Sequence, residues 1–348
     1  MSTENTDLME SPKYLRMSLA AAMTLGFKQG LFYRGARLYC INLLLSYEDG
    51  CVARCAYCGL NGKREGAYRE KSFIRVTWPT YPVADIIDRI RERQDRVKRI
   101  CISMVTRKKA VAHTADICAW LRESFDVPVS ILIAPTVVDH DDLVSFRKAG
   151  ADKVGVAVDL ATEELFDRFR GKGVAGPHSW QRYWSCLEDA VGVFGPGNAG
   201  PHLMVGMGET EKEMCMVIQR ARDMGCFSHL FSFFPEAGSA MENHPQPPMD
   251  QYRRVQLARF LIDNDLSRAD RMNWNHLGRI TNFGLPADEL GRVIDSGEPF
   301  RTSGCSGYDG NVACNRPFAN SRPGPDMRNY PFPATEEDVA RIRRQMES

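Results

Sequence analysis

From residue 38 onward, short apolar runs rich in β-branched residues alternate with stretches whose apolar positions fall at helical spacing. YCINLLLS (39–46) predicts a buried strand, and YPVADIIDRIRERQ (81–94) predicts the helix after it. The alternation continues through the strand KRICISMV (98–105), the helix HTADICAWLRES (113–124), the strand PVSILIAP (128–135) and a helix over 141–150 closed by Gly150. ADKVGVAVD (151–159) then precedes a helix containing SWQRYWSCLEDAV, and PHLMVGM (201–207) precedes the helix ETEKEMCMVIQRARDMG. CFSHLFSFF (226–234) is followed by a helix over MDQYRRVQLARFLIDND. A weaker strand RMNWNHL (271–277), a helix near PADELGRVID and a short strand GEPFRT (297–302) complete the series.

That makes eight strand candidates, each of the first seven followed by a helix. Strands alternating with helices imply a parallel sheet, and strands apolar throughout are expected where helices cover both faces. Eight units over about 250 residues fit an α/β fold of the (β/α)8 TIM-barrel type; a doubly wound open sheet is the alternative. The predicted division is an N-terminal lead (1–37), the barrel (38–301) and a C-terminal tail (302–348). The tail, TSGCSGYDGNVACNRPFANSRPGPDMRNYPFP, is too rich in Gly, Pro and Asn for long regular elements. Its cysteines and its aromatics Tyr308, Phe318, Tyr330 and Phe332 argue against disorder, and TEEDVARIRRQM predicts a last helix.

Charge adds little. The 348 residues carry 45 Lys plus Arg against 44 Asp plus Glu, a net charge of +1, so no global field recruits nucleic acid or an anionic membrane. No apolar run approaches the roughly 20 residues of a membrane span. The opening MSTENTDLMESPKYL lacks the basic head and apolar segment of a signal peptide, so the expected location is the cytoplasm.

The cysteines change the picture. In that compartment 11 cysteines are expected to serve as metal ligands and buried thiols rather than as a disulfide framework. Cys118, Cys186, Cys215 and Cys226 lie singly in helical stretches or at their ends and are expected to be small buried hydrophobes. By contrast, SYEDGCVARCAYCGLNGKREG (46–66) sets Cys51, Cys55 and Cys58 in one glycine-bounded loop directly after the first strand. Structural zinc wants four protein ligands. Three thiolates instead suit a cubane iron-sulfur cluster of four irons, leaving one iron open. A loop at the carboxyl end of a barrel strand is where such chemistry is expected.

Cys51, Cys55 and Cys58, with Tyr57 as the aromatic residue before the last, resemble the CxxxCx(aromatic)C signature of the radical S-adenosylmethionine superfamily. The resemblance implies a [4Fe-4S] cluster whose open iron binds the amino and carboxylate groups of S-adenosylmethionine, with reductive cleavage to a 5′-deoxyadenosyl radical. LMVGMGETEKE (203–213) resembles the fifth-strand motif of biotin and lipoyl synthases, where Gly206 would let backbone approach the adenine and Glu209 would start the next helix. Asp159 resembles the carboxylate that grips the ribose hydroxyls. Arg182 aligns with the arginine that pairs with the S-adenosylmethionine carboxylate, Arg168 and Arg170 competing for that role. The second-strand glycine motif is replaced by SMVT (103–106).

Within the superfamily, biotin synthase is disfavoured. Cys101 keeps the second-strand position of its extra cluster, but SILIAPT has no cysteine and His202 stands where a fifth-strand cysteine would be. Single-chain lipoyl synthases carry an N-terminal cysteine triplet, and residues 1–39 contain no cysteine. INLLLSYEDGCVARCAYCGL, KSFIRVTWPTYP (71–82) and the tail segments TSGC, CNRPF and NYPFP resemble biotin-synthase-related proteins that make the lipoyl cofactor as a pair, most nearly the first member, over residues 38–333. This implies sulfur insertion into an octanoyl-lysine of a lipoyl-carrier protein or domain, with a partner lipoyl synthase and a ferredoxin or flavodoxin electron donor. It also implies a second, auxiliary [4Fe-4S] cluster as sulfur source, with Cys305 and Cys314 as catalytic ligands in a tail folded over the barrel mouth. Cys40 or Cys101 would be a third ligand, and Ser303 or Ser306 could complete the set; a tail disulfide is the plain alternative. Another radical reaction, methylthio transfer or skeletal rearrangement without a sacrificial cluster, stays open.

Overall fold

Six consecutive residues, Cys40–Leu45, form a strand (β2) in which every side chain is buried, the signature of a strand covered on both faces. The computed structural model describes residues 9–315 and 327–347, so Phe318 and most of CNRPF lie outside the described residues. Before β2 come β1 (Tyr14–Met17) and α1 (Leu19–Thr24); after it come β3 (Thr80–Pro82) and α2 (Val83–Glu92). The repeating units follow as β4 (Arg99–Ser103), α3 (Lys109–Ser124), β5 (Val129–Ile133), α4 (His140–Lys148), β6 (Ala151–Asp159), α5 (Glu163–Phe169), α6 (Trp180–Phe194), β7 (Ala199–Val205), α7 (Glu211–Asp223), β8 (His229–Ser232) and α8 (Met249–Asp263).

The strands make one eight-stranded sheet in the order β3-β1-β2-β4-β5-β6-β7-β8. From β2 to β8 all neighbours are parallel. This is the mixed α/β, barrel-type architecture the alternation predicts. The lead, however, is part of the sheet: β1 pairs antiparallel with both β2 and β3. Its buried Arg16 donates to the carbonyls of Trp78 (2.9 Å), Tyr68 (3.0 Å) and Lys71, pinning the long excursion between the cysteine loop and β3.

The last two predicted strands do not join the sheet. Residues 271–277 supply only β9 (Asn273–Trp274), paired with β10 (Ile280–Asn282) in a separate hairpin; the run is too polar for a strand buried on both faces. In 297–302, Glu298–Phe300 is a 3-10 turn, since Pro299 has no N–H for a ladder. Among the described residues two further α-helices follow, α9 (Ala287–Asp295) and α10 (Glu336–Glu347), the second as predicted.

The tail also departs from expectation. Instead of covering the carboxyl ends of the strands, it closes their amino ends. Tyr308 N–H donates to the carbonyl of Lys98 (3.3 Å), just before β4, and Arg99 Nε donates to the carbonyl of Ser306. Lys98 pairs with Asp309 at 2.6 Å, and Leu230 N–H, at the start of β8, donates to Ser303 Oγ at 2.8 Å. Cys118, Cys186, Cys215 and Cys226 are fully buried, as predicted.

Candidate active site

The loop after β2 turns sharply at Gly50, whose φ of +61° is natural for glycine and whose added Cβ would lie 2.9 Å from the Tyr68 ring. Backbone bonds then fold the cysteines inward. Thr106 N–H, beyond β4, donates to Cys51 Sγ at 3.4 Å, Ala56 N–H to the carbonyl of Phe169 at 2.8 Å, and Cys58 N–H to the carbonyl of Cys55 at 3.2 Å. Burial pushes the Cys55 thiol up to about 11 and Cys58 higher still. All three cysteines line one cavity of about 130 Å3, together with Asp159, Arg170 and Tyr183.

Asp159 ends β6 with a φ of +65°, at an irregularity in the β6–β7 register, a left-handed conformation that Asp tolerates better than most residues. Its Oδ2 accepts from Tyr57 Oη at 2.5 Å and from Arg170 Nη1 at 2.6 Å, while Oδ1 makes no hydrogen bond among the described residues. Arg170 is buried and also donates to Tyr183 Oη at 3.1 Å. The hydroxyls of Tyr183 and Thr136 both lie on His178 Nδ1, at 3.0 and 2.6 Å. Burial and the Arg170 charge hold His178 far down, to about 2, so this ring is neutral.

The structure thus brings Cys51, Cys55, Cys58, Tyr57 and Asp159 together, but not Arg182. Arg182 Nε donates to the carbonyl of Pro135 at 3.1 Å and Nη2 to that of Val138, which turns the guanidinium to the loop after β5. Arg170 stands in the cavity in its place. Ser103 and Thr106 of SMVT line the cavity although the glycine motif is missing.

Gly206 directly follows β7 with a φ of +102°, and an added Cβ would lie 2.5 Å from Pro247 Cδ. Gly206→Ala is therefore expected to cost at least about 1–3 kcal/mol of stability, read by denaturant unfolding. Glu209 does not start α7. Thr210 caps that helix in a reciprocal pair with Glu213, while Glu209 folds back to accept from the N–H groups of Gly206 (2.7 Å) and Met207 (2.8 Å). Burial raises its carboxyl from 4.5 to about 7 against those two bonds. A carboxyl that binds protons more tightly when folded weakens the fold as it ionises. Stability from this group is therefore expected to fall as pH rises from 4.5 to about 7. Glu209→Gln should flatten that part of the unfolding-midpoint profile.

Against the cysteine cavity lies a second, largely apolar one of about 140 Å3, lined by Phe73, Ile74, Met204, Phe231 and Phe234, with Tyr57, Cys58 and Asp159 on the shared wall. Its cover was not singled out as a site in the sequence. Ile74 and Arg75 have φ of +55° and +60°, and the buried Glu236 carboxylate holds them there by accepting from Ser72 Oγ and Arg75 N–H. A β-branched residue in that conformation is strained.

The remaining cysteines of interest meet at the amino end. Cys40, Cys101 and Cys314 pack together, with Cys305 against them. No disulfide joins any of the 11. Asn42 Nδ2 donates to Cys40 Sγ at 3.5 Å and Cys314 Sγ at 3.8 Å, whereas its fully buried Oδ1 has no partner among the described residues. Burial pushes the Cys305 thiol up to about 11, opposed by Arg99. Among the described residues no three Cys, His, Asp or Glu side chains are set to hold a single metal ion. A cluster spreads its thiolates over separate irons, so both cysteine sets suit a cluster in donor chemistry. Among the described residues no helix is long and apolar enough to cross a membrane.

The family profile described as Radical SAM superfamily matches residues 45–221. No curated protein matches. Among solved structures, the fold is similar to methylornithine synthase (PylB), at 12% identity and a TM-score of 0.48, covering 79% of this chain and 84% of that one. It is also similar to the FeFe-hydrogenase maturase HydG from Carboxydothermus hydrogenoformans, at 16% identity and a TM-score of 0.52, covering 71% of this chain and 56% of that one. This chain therefore spans little more than half of HydG. Coproporphyrinogen III oxidase (HemN) from Escherichia coli matches at 16% identity and a TM-score of 0.36, covering 51% of this chain and 44% of that one.

Proposed function

Because the chain belongs to the Radical SAM superfamily, we propose that it inserts sulfur into an octanoyl chain carried on a lysine of a lipoyl-carrier protein or domain, acting with a partner lipoyl synthase. The observation that carries this reading is the presence of two separate cysteine sets at opposite ends of one barrel. Cys51, Cys55 and Cys58 face the carboxyl ends of the strands, and Cys40, Cys101, Cys305 and Cys314 gather at the amino ends. A reaction needing only the radical would leave the second set without work.

Cys51, Cys55 and Cys58 would hold a [4Fe-4S] cluster, which, reduced by ferredoxin or flavodoxin, would supply the electron that splits S-adenosylmethionine. The chain's own residues do the positioning. Asp159 Oδ1 is the acceptor left for ribose hydroxyls, with Arg170 and Tyr57 fixing the carboxylate. Arg170, rather than Arg182, is the cation beside the S-adenosylmethionine carboxylate. Gly206 shapes the wall beside the adenine. The neighbouring apolar cavity suits an alkyl chain: Phe73, Ile74 and Phe234 exclude water along its length, and the latch on Glu236 keeps that wall closed. Cys305, Cys314 and Cys40 would hold an auxiliary cluster, which would supply the sulfur. The reducing cytoplasm keeps all these thiols available as ligands.

The test is incubation of anaerobically reconstituted protein with an octanoyl-lysine peptide and with its once-thiolated derivative, read by mass spectrometry. Thiolated product is expected, together with about eight irons per chain. Cys305→Ala is expected to spare abortive S-adenosylmethionine cleavage within about twofold while thiolated product falls below detection. Cleavage with about four irons and no thiolation would move the chain to another radical reaction.

A further inference from the structure

His229 opens β8 at the amino end of the barrel, and its ring is held from several sides. Nδ1 meets the carbonyl of Ser303, and Ser303 is itself tied to β8, its Oγ accepting from Leu230 N–H at 2.8 Å. The His202 ring packs edge-on at 5.1 Å and 81°. A carbonyl only accepts, so the ring proton sits on Nδ1 and Nε2 presents its lone pair. That lone pair faces Cys305 Sγ at 3.7 Å.

Each iron of a cubane is bonded to three sulfides and takes one protein donor. With 3.7 Å between them, His229 Nε2 and Cys305 Sγ lie within reach of the same corner. A ring whose other nitrogen donates to a backbone carbonyl is also the usual state of a metal-bound histidine. Independently, Asn42, whose Nδ2 donates to Cys40 and Cys314 Sγ, has a buried Oδ1 with no hydrogen-bond partner among the described residues, so the pocket holds a polar atom that those residues do not satisfy.

We infer that His229 is a nitrogen ligand of the amino-end site, its Nε2 taking the corner within reach of Cys305 in exchange for that thiolate. This rests on the second-cluster reading given above. Cys40, Cys101 and Cys314 then serve the other three corners of a cubane. A ring nitrogen among thiolates lowers the negative charge and raises the reduction potential, as histidine does in Rieske centres. It also leaves the Cys305 corner attached to the protein when the thiolate lets go.

The experiment uses the full chain carrying Cys51→Ala, Cys55→Ala and Cys58→Ala together, so that only the amino-end site can load. After anaerobic reconstitution and reduction, about four irons per chain are expected. Pulsed paramagnetic resonance should show a nitrogen coupling that changes isotope pattern when the protein is grown with 15N-histidine. His229→Ala should lose the coupling and shift the midpoint potential downward; the labelled protein gives the same answer if that variant does not fold. A loaded cluster without a histidine nitrogen coupling overturns the inference and leaves the second cluster standing. Iron near zero in the triple variant removes the second cluster, and the inference falls with it.

Discussion

Alanine at any one of Cys51, Cys55 or Cys58 is expected to bring 5′-deoxyadenosine formation from S-adenosylmethionine down to the level of an enzyme-free control. With three thiols in the loop, losing one leaves two protein ligands on a four-iron cluster, and the corner intended for substrate is no longer the only open one. The fold should survive. Cys51 and Cys58 are only partly buried, and the loop is also held by backbone bonds, Val52 N–H to the carbonyl of Thr106 and Ala56 N–H to that of Phe169, that these substitutions leave in place. Chromatographic quantification of 5′-deoxyadenosine, beside a circular dichroism spectrum of each variant, checks both halves. A variant that keeps its cleavage rate would show that its thiol is not a ligand.

Arg170→Ala is expected to act on stability as well as on substrate binding. The guanidinium is buried and bonds to Asp159 at 2.6 Å, to Tyr183 at 3.1 Å and to the carbonyl of Ala157. Removing it strands a partly buried carboxylate beside Tyr57, and breaking a buried pair from one side typically costs about 3–5 kcal/mol. Denaturant unfolding should show that loss, and S-adenosylmethionine binding by the cluster-loaded protein should weaken about 100-fold, a loss equivalent to about 2.7 kcal/mol. Arg182→Ala, whose guanidinium serves the carbonyls of Pro135 and Val138, should leave that affinity within about threefold.

The sequence pattern was most informative where a feature is local. The loop cysteines and Tyr57 lie within a few residues of one another, and six of the predicted strands occur with boundaries shifted by a residue or a few. Asp159 was legible because a carboxylate closing an apolar strand is conspicuous. The choice between Arg170 and Arg182 was not legible, because it depends on which way each guanidinium turns once α5 and α6 dock on the sheet. The two false strands arose from runs whose apolar content is modest and whose Pro299 and asparagines disfavour a central ladder. The direction of the tail was not legible, because it depends on how the chain packs after β8 rather than on any local run. Cys305 and Cys314 were expected to share a site with either Cys40 or Cys101; that both join them, linking β2, β4 and the tail, is stated only by the tertiary structure.

That meeting has a bearing on biogenesis. Cys51, Cys55 and Cys58 belong to one loop emerging early from the ribosome, whereas the amino-end pocket lacks two of its walls until residues 305–314 have been synthesised and threaded beneath the strands. The cluster proposed for that pocket would therefore be installed only after residues 305–314 are in place, so a chain interrupted before them would lack that pocket while keeping the first cysteine loop.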